Sequence, residues 1–186
     1  MALPSLSHFS LAGGTGLALQ LGHRRSFDLD LFTHKEFIPK ELGRLLSDHV
    51  KFSITQEAVN TLSISSDNVL VDFIRYDYPI IKPIVTEDHI RLYSKEDIAC
   101  MKLSAIASRG SKRDFYDLYF LIREFTLSGL LSSYEAKYGI KDHCHLLKSL
   151  VYFEDADPEP EPVMLKEVSW VSVKESLKAS ARNLLS

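Results

Sequence analysis

The spacing of apolar residues changes period partway along the chain. In the first half, His8–Ala12 is a short apolar run that ends at Gly13-Gly14, and Thr15–Leu21 has the composition of a helix stopped at Gly22. Ser26–Phe32 alternates as a strand would. Phe27, Leu29 and Leu31 lie on one face, and Ser26, Asp28, Asp30 and Phe32 on the other. Helical spacing returns through Leu42, Leu45, Leu46 and His49, predicting a helix over Pro39–Val50. Lys51–Gln56, Thr61–Ser65 and Val69–Tyr76 then read as strands, the last two joined by a turn at Ser65-Ser66-Asp67-Asn68.

Tyr78-Pro79 through Pro83 breaks this pattern, and beyond it the periodicity is helical. Ser94 with Asp97 three residues on is a capping-box pattern opening a helix to about Ser108. Ser111 opens another from Lys112 to about Phe125, apolar around most of its circumference and therefore expected to be buried. Helical stretches follow around Leu130–Tyr138 and His143–Phe153. Asp157-Pro158-Glu159-Pro160-Glu161-Pro162 reads as a stiff extended connector, and Val173–Leu185 as a last amphipathic helix. No internal repeat is present. The expected class is mixed α+β (α/β): a mixed-sheet core over 1–92, a helical part over 93–156, and the connector with its helix over 157–186.

Composition narrows the picture. At 186 residues, 45% hydrophobic and 25% charged, the chain has the means to build a core. A net charge of −3 gives no global basic field, so a nucleic-acid partner is not announced by charge. No apolar run is long enough to cross a bilayer, and the start has no basic segment ahead of an apolar one, so a cytoplasmic protein is expected. Cys100 and Cys144 read as reduced thiols. His143 and His145 flank Cys144, but positions two apart on a helix diverge and would not share a metal.

The chemistry concentrates in three features. Gly13-Gly14-Thr15 stands between a short strand and a helix. Glycine allows a tight turn and close approach of a phosphate, and the helix start offers amide N–H groups to an anion; the same pattern also serves as a plain turn. Asp28-Leu29-Asp30 projects two carboxylates from one strand face, about 7 Å apart, a platform for magnesium and a triphosphate or else a solvated face. Thirteen residues separate Gly14 from Asp28, enough for one helix and a return into the neighbouring strand, which brings turn and acids together.

Strand, glycine turn, helix, then an Asp-x-Asp strand resembles the polymerase-β-like nucleotidyltransferases. The resemblance implies a third carboxylate on an adjacent strand, able to activate the attacking hydroxyl. Asp72, between Leu70 and Ile74 on an otherwise apolar face, is the candidate, with a structural ion pair as the alternative. Asp67 and Asp77 lie nearer turns.

Longer stretches sharpen the likeness. Leu11-Ala12-Gly13-Gly14-Thr15, Leu21 through Phe32, Asp97-Ile98-Ala99-Cys100-Met101-Lys102-Leu103-Ser104-Ala105-Ile106, and Arg109 through Tyr119 resemble the AbiEii/AbiGii toxin family over about residues 8 to 155. The resemblance implies NTP binding, magnesium (or manganese), and transfer of a nucleotide onto RNA such as tRNA, or onto protein, by a toxin paired with an antitoxin. It places Ser26 near the triphosphate, matches Lys102 to a motif lysine, and matches Lys112, Asp114 and Asp117 to a Lys-x-Asp-x-x-Asp motif. Lys102 lies on the stripe of Ile98, Met101 and Ala105, where a cation needs an anion or must snorkel. Arg109, Arg113 and Asp117 could form a surface ladder, although the apolar neighbours of Asp117 argue for burial. His23-Arg24-Arg25 could hold a phosphate or be a solvated turn. Tyr116, Tyr119 and Phe120 fit a core better than a base-stacking platform. Only about a dozen residues precede Gly13 and little follows residue 155, so substrate identity is not expected to carry over from larger relatives.

Asp28, Asp30, Asp72 and Lys102 are thus the expected catalytic set. Gly13, Gly14, Thr15, Ser26, Lys112, Asp114 and Asp117 are expected at the nucleotide, and Asp28 and Asp30 at the metal. A non-catalytic nucleotide- or partner-binding module on the same fold is the alternative, as is nucleotidylation of a small molecule such as an antibiotic.

Overall fold

A seven-stranded mixed sheet in the order β3-β4-β5-β2-β1-β7-β6 is built from the first half of the chain. In chain order its strands are β1 (Ser10–Leu11), β2 (Leu29–Thr33), β3 (Ser53–Ala58), β4 (Thr61–Ser66), β5 (Val69–Arg75), β6 (Val85–Glu87) and β7 (Ile90–Leu92). The β2–β5 and β1–β7 pairs are parallel and the others antiparallel. The helices are α1 (Gly13–Leu21), α2 (Pro39–Ser47), α3 (Lys95–Ser108), α4 (Lys112–Leu121), α5 (Leu127–Tyr138), α6 (Cys144–Ser149) and α7 (Trp170–Arg182). This computed structural model describes residues 3–184, so Leu185 of the expected last helix lies outside the described residues. The mixed α/β class expected from the sequence is the one observed.

Two units divide the chain. The first gathers residues up to Gly16, Ser26–Tyr78 and Pro83–Ser94, hence the whole sheet with α2. Alternation along the strands sorts its two faces. Leu11, Leu31, Leu62, Ile64 and Phe73 point to one side, where Leu6, Phe9, Leu42, Leu46 and Leu92 complete a buried cluster. Phe9 meets Phe37 and Phe73 edge-on at 5.3 and 5.4 Å. Two-residue turns set the hairpin registers. Asp67-Asn68 joins β4 to β5 and Asp88-His89 joins β6 to β7, all four residues at positive φ as type I′ turns require.

The second unit gathers Leu17–Arg25, Pro79–Lys82 and the chain from Lys95 onward. Its core holds Ile98, Leu103, Leu118, Leu130, Leu146, Val173 and Leu177. Trp170 centres an aromatic cluster, stacked on Tyr116 at 5.5 Å and edge-on to Phe115 and Phe153. Tyr116 is therefore core. A buried ion pair, Lys137 Nζ to Asp97 Oδ1 at 2.7 Å, is completed by Pro79 O, which accepts from Lys137, and by the amides of Ile81 and Lys82, which donate to Asp97.

Several expected boundaries shift. The β6–β7 hairpin carried no sequence signal, because strands of three residues are too short to establish a period. The helices expected to reach Val50, Phe125 and Phe153 end at Ser47, Leu121 and Ser149. The proline-rich segment is not extended throughout: it turns over residues 154–158. Glu159 accepts from Ser111 Oγ and from the Lys112 amide, capping α4 from a distant part of the chain, and Asp157 accepts from Trp170 Nε1.

Candidate active site

The first unit brings Gly13, Gly14, Thr15, Ser26, Asp28, Asp30 and Asp72 together. Gly13 opens α1 at φ +59°, and a Cβ there would stand 2.7 Å from Asp30 Cγ and closer still to its Oδ2. The backbone thus lies against the carboxylate as only glycine permits. Ala12 N donates to Asp30 O at 2.9 Å, tying the glycine turn to β2. The first-turn amides of α1 have no intrahelical carbonyl to bond, which leaves the helix start suited to an anion. The Thr15 hydroxyl reaches both Ser26 Oγ, at 2.8 Å, and the Asp28 main-chain carbonyl.

That contact explains a correction to the sequence reading. The strand expected over Ser26–Phe32 begins only at Leu29, since the Asp28 carbonyl is held by Thr15. Phe27, expected on the apolar face, is 65% exposed. Asp28 therefore precedes β2 and is exposed, while Asp30 lies within the strand and is half-buried.

Asp72 pairs in register with Asp30 across the parallel β2–β5 ladder, and with Ser63 across the antiparallel β4–β5 ladder. Register partners project to the same face, so Ser63, Asp72 and Asp30 form one polar row on the side opposite the core. Ser63 was not singled out in the sequence. Its alternation with buried Leu62 and Ile64 was the available signal. Among the described residues, no group of three or more His, Cys, Asp or Glu side chains could hold a metal ion unaided. Magnesium held by one or two carboxylates and completed by substrate phosphates does not require one, and these hard oxygen donors suit it.

Lys102, Lys112, Asp114 and Asp117 belong to the second unit, where three of them bond one another. Lys102 Nζ lies 2.7 Å from Asp114 Oδ1 and 2.6 Å from Asp117 Oδ2. Arg24 grips Asp117 through both oxygens, Nε to Oδ1 at 2.6 Å and Nη2 to Oδ2 at 2.8 Å. His23 Nε2 is 2.8 Å from Asp117 Oδ1, and because an ionised carboxylate only accepts, Nε2 carries the proton. Its Nδ1 is buried without a hydrogen-bond partner among the described residues. Arg109 Nε donates to Asp114 Oδ2 at 2.9 Å.

Burial alone would raise the pKa of both carboxyls. Lys102 with Arg24 and His23 outweighs it at Asp117, and Lys102 with Arg109 outweighs it at Asp114, so both stay below the usual carboxylate range. Burial likewise opposes the charge of Lys102, yet Asp117 and Asp114 hold its pKa above the ordinary lysine value. His23 and Arg24 are thus neither a solvated turn nor a phosphate clamp. Lys102, a cation that needs an anion or must snorkel, sits between two carboxylates. Lys112 is buried too, its Nζ donating to Asp157 O and Glu159 O and lying 5.3 Å from the Trp170 ring centre. His143 and His145 reach different carbonyls, Ile140 O and Ala107 O, in line with their expected divergence.

Among the described residues, no helix is long and apolar enough to cross a membrane. An uncharacterized protein of Aquifex aeolicus (strain VF5) is 36% identical over 191 residues, covering 100% of this chain and 92% of its own length. Two solved structures share the fold. The Helicobacter pylori protein JHP933 is 20% identical with a TM-score of 0.60, covering 97% of this chain and 84% of that one. The nucleotidyltransferase toxin MenT4 of Mycobacterium tuberculosis H37Rv is 14% identical with a TM-score of 0.66, covering 96% and 75%. The family model for the nucleotidyl transferase AbiEii toxin, Type IV TA system, matches residues 2–183, and the chain belongs to that nucleotidyltransferase family.

Proposed function

We propose that this nucleotidyltransferase moves a nucleoside monophosphate from an NTP to an acceptor hydroxyl on RNA or protein, as the toxin-like half of a cytoplasmic toxin–antitoxin pair. The observation that carries the reading is the pairing of Asp30 with Asp72 beside the Gly13 turn. Asp28 and Asp30 would hold magnesium. Bound there, it would supply Lewis acidity and offset developing negative charge.

The protein's own groups do the rest. Gly13, Gly14 and Thr15 orient the triphosphate through main-chain amides at the start of α1, and Ser26 supports Thr15. Asp72 takes the proton of the acceptor hydroxyl as its oxygen bonds to the α-phosphorus and the bond to the pyrophosphate oxygen breaks. In this reading Lys102, Asp114 and Asp117 act as positioning residues through their mutual ion pairs, and Lys112 by anchoring the 157–159 turn.

The test is transfer of label from α-labelled NTPs, with magnesium, onto total bacterial RNA and protein. Label on a defined RNA or protein band with wild type, and none with Asp28→Ala/Asp30→Ala, is expected. Equal labelling by both would overturn the roles assigned to the acids. Nucleotide binding without labelling would favour a binding module.

A further inference from the structure

Between α6 and α7 lies a trough of about 490 Å³ that the transfer chemistry does not use. Cys144, Leu147, Lys148 and Val151 form one wall, at the i, i+3, i+4, i+7 spacing of a single helical stripe. The turn beyond α6 prolongs the helical path to Val151, with Leu150 N donating to Leu146 O and Val151 N to Lys148 O. Lys178, Ala181 and Arg182 of α7 form the other wall. The α6 stripe differs from the one that helix packs inward, Leu146 and Leu150; on α7, Lys178 and Arg182 flank the inward stripe of Val173, Leu177 and Ala181, whose last member floors the trough.

The trough reverses the charge of the protein. The whole chain has 25 acidic and 22 basic residues, whereas three of the seven lining residues are basic and none is acidic. Among the described residues, none of these three cations forms an ion pair, although Lys178 Nζ lies 5.6 Å from the Phe153 ring centre. Leu147 and Val151 provide apolar surface between the cations, above buried Ala181, and Val151 is 39% exposed.

We propose that this trough docks an acidic amphipathic helix of a protein partner. Two facing helical walls accept a third helix, whose apolar stripe covers Leu147 and Val151 while flanking carboxylates reach Lys148, Lys178 and Arg182. A single acyl chain would engage one cation and leave two. A nucleic-acid strand would find no aromatic platform among the lining residues.

The experiment uses the full chain and a labelled helical peptide of about 18 residues, with Leu at helical spacing and Glu elsewhere. A second peptide carries Lys in place of Glu, and binding is read by fluorescence anisotropy. The Glu peptide binds wild type, and its affinity falls with added salt. Lys148→Glu/Lys178→Glu/Arg182→Glu, three exposed positions, weakens it at least about tenfold and takes up the Lys peptide instead. Equal binding of both peptides, no binding of either, or a preference unchanged by the triple substitution would overturn the proposal. So would dodecanoate displacing the Glu peptide from wild type and binding the triple variant equally well, which assigns the trough to an acyl chain. Self-association of wild type that the triple substitution abolishes, with no peptide binding, would assign it to a second copy. Transfer activity is not a readout, so the result is independent of the function proposed above.

Discussion

Asp30 and Asp72 stand opposite each other in the parallel β2–β5 ladder, both half-buried and on the face away from the core. Adjacent strands lie about 4.8 Å apart, so two carboxylates in register repel when no cation intervenes.

Removing one charge should therefore cost activity without costing stability. Asp72→Asn is expected to lower the rate of nucleotide transfer by about 10²- to 10⁴-fold, the range for loss of a general base. Asp30→Asn should reduce transfer to background. Asp72→Asn should not lower the thermal midpoint, and relief of repulsion should raise stability by about 0.2–1 kcal/mol. A fall in midpoint with Asp72→Asn would make that carboxylate structural instead.

Gly13 and Gly22 offer a matched comparison. Both have positive φ, +59° and +57°, but a Cβ at Gly22 meets nothing within 4 Å whereas one at Gly13 meets the Asp30 carboxylate. Gly22→Ala should cost about 1–2 kcal/mol of stability, the left-handed backbone penalty, and leave transfer intact. Gly13→Ala carries the same penalty and must also displace Asp30. Its transfer rate should fall at least about tenfold below that of Gly22→Ala, for a displaced carboxylate loses its place in the site. Equal rates in the two variants would show that the contact with Asp30 is immaterial.

The contrast between these glycines also shows where sequence reading succeeds. Gly13-Gly14 between a strand and a helix, and Asp30 at an alternating position, were legible because period and turn chemistry are local. The fold class followed from the same local signals, and the long motifs identified the family. Arg24 was not legible. Its partner Asp117 lies 93 positions away, and nothing near either residue states that they meet. The anion that Lys102 needed was not legible because its two carboxylates come from α4, not from its own helix. Local patterns give elements and turns. Ion pairs that join distant segments depend on packing, which a single sequence does not display.

The buried network around Asp117 should dominate the acid stability of the protein. Asp114 and Asp117 have folded-state pKa values below their unfolded ones. Their contribution is therefore fully present above the usual carboxylate range, and is lost as pH falls through that range toward the depressed values. Urea unfolding between pH 7 and pH 2 should show stability declining below about pH 4. Asp117→Asn should cost about 3–5 kcal/mol at pH 7, because it deprives buried Arg24 of its carboxylate and leaves Lys102 with Asp114 alone, and should flatten the acid limb. Lys102 works with the opposite sign. Its raised pKa makes its contribution complete below the ordinary lysine value and lost above it, so Lys102→Met should flatten the alkaline limb. An acid limb unchanged in Asp117→Asn would remove this carboxylate from the stability argument.

The two cysteines should differ sharply in reactivity. Cys100 is fully buried on α3, and burial pushes its thiol up to about 12, with Lys137 pulling the other way and Asp97 reinforcing the rise. At pH 8 a thiol with that pKa is about one part in 10⁴ thiolate, and the thiolate is the nucleophile. Cys144 is exposed at the start of α6. Iodoacetamide at pH 8 should therefore add one carbamidomethyl group per native chain, at Cys144, and two after unfolding in guanidinium. Peptide mapping by mass spectrometry distinguishes the sites. Modification of Cys100 in the native protein at a rate near that of Cys144 would mean that α3 opens readily, and opening there would also release Asp97 from Lys137. Lys137→Met provides the internal control. It removes the cation that holds Asp97 and the Pro79 carbonyl, so Cys100 labelling should accelerate in this variant while Cys144 labelling stays unchanged.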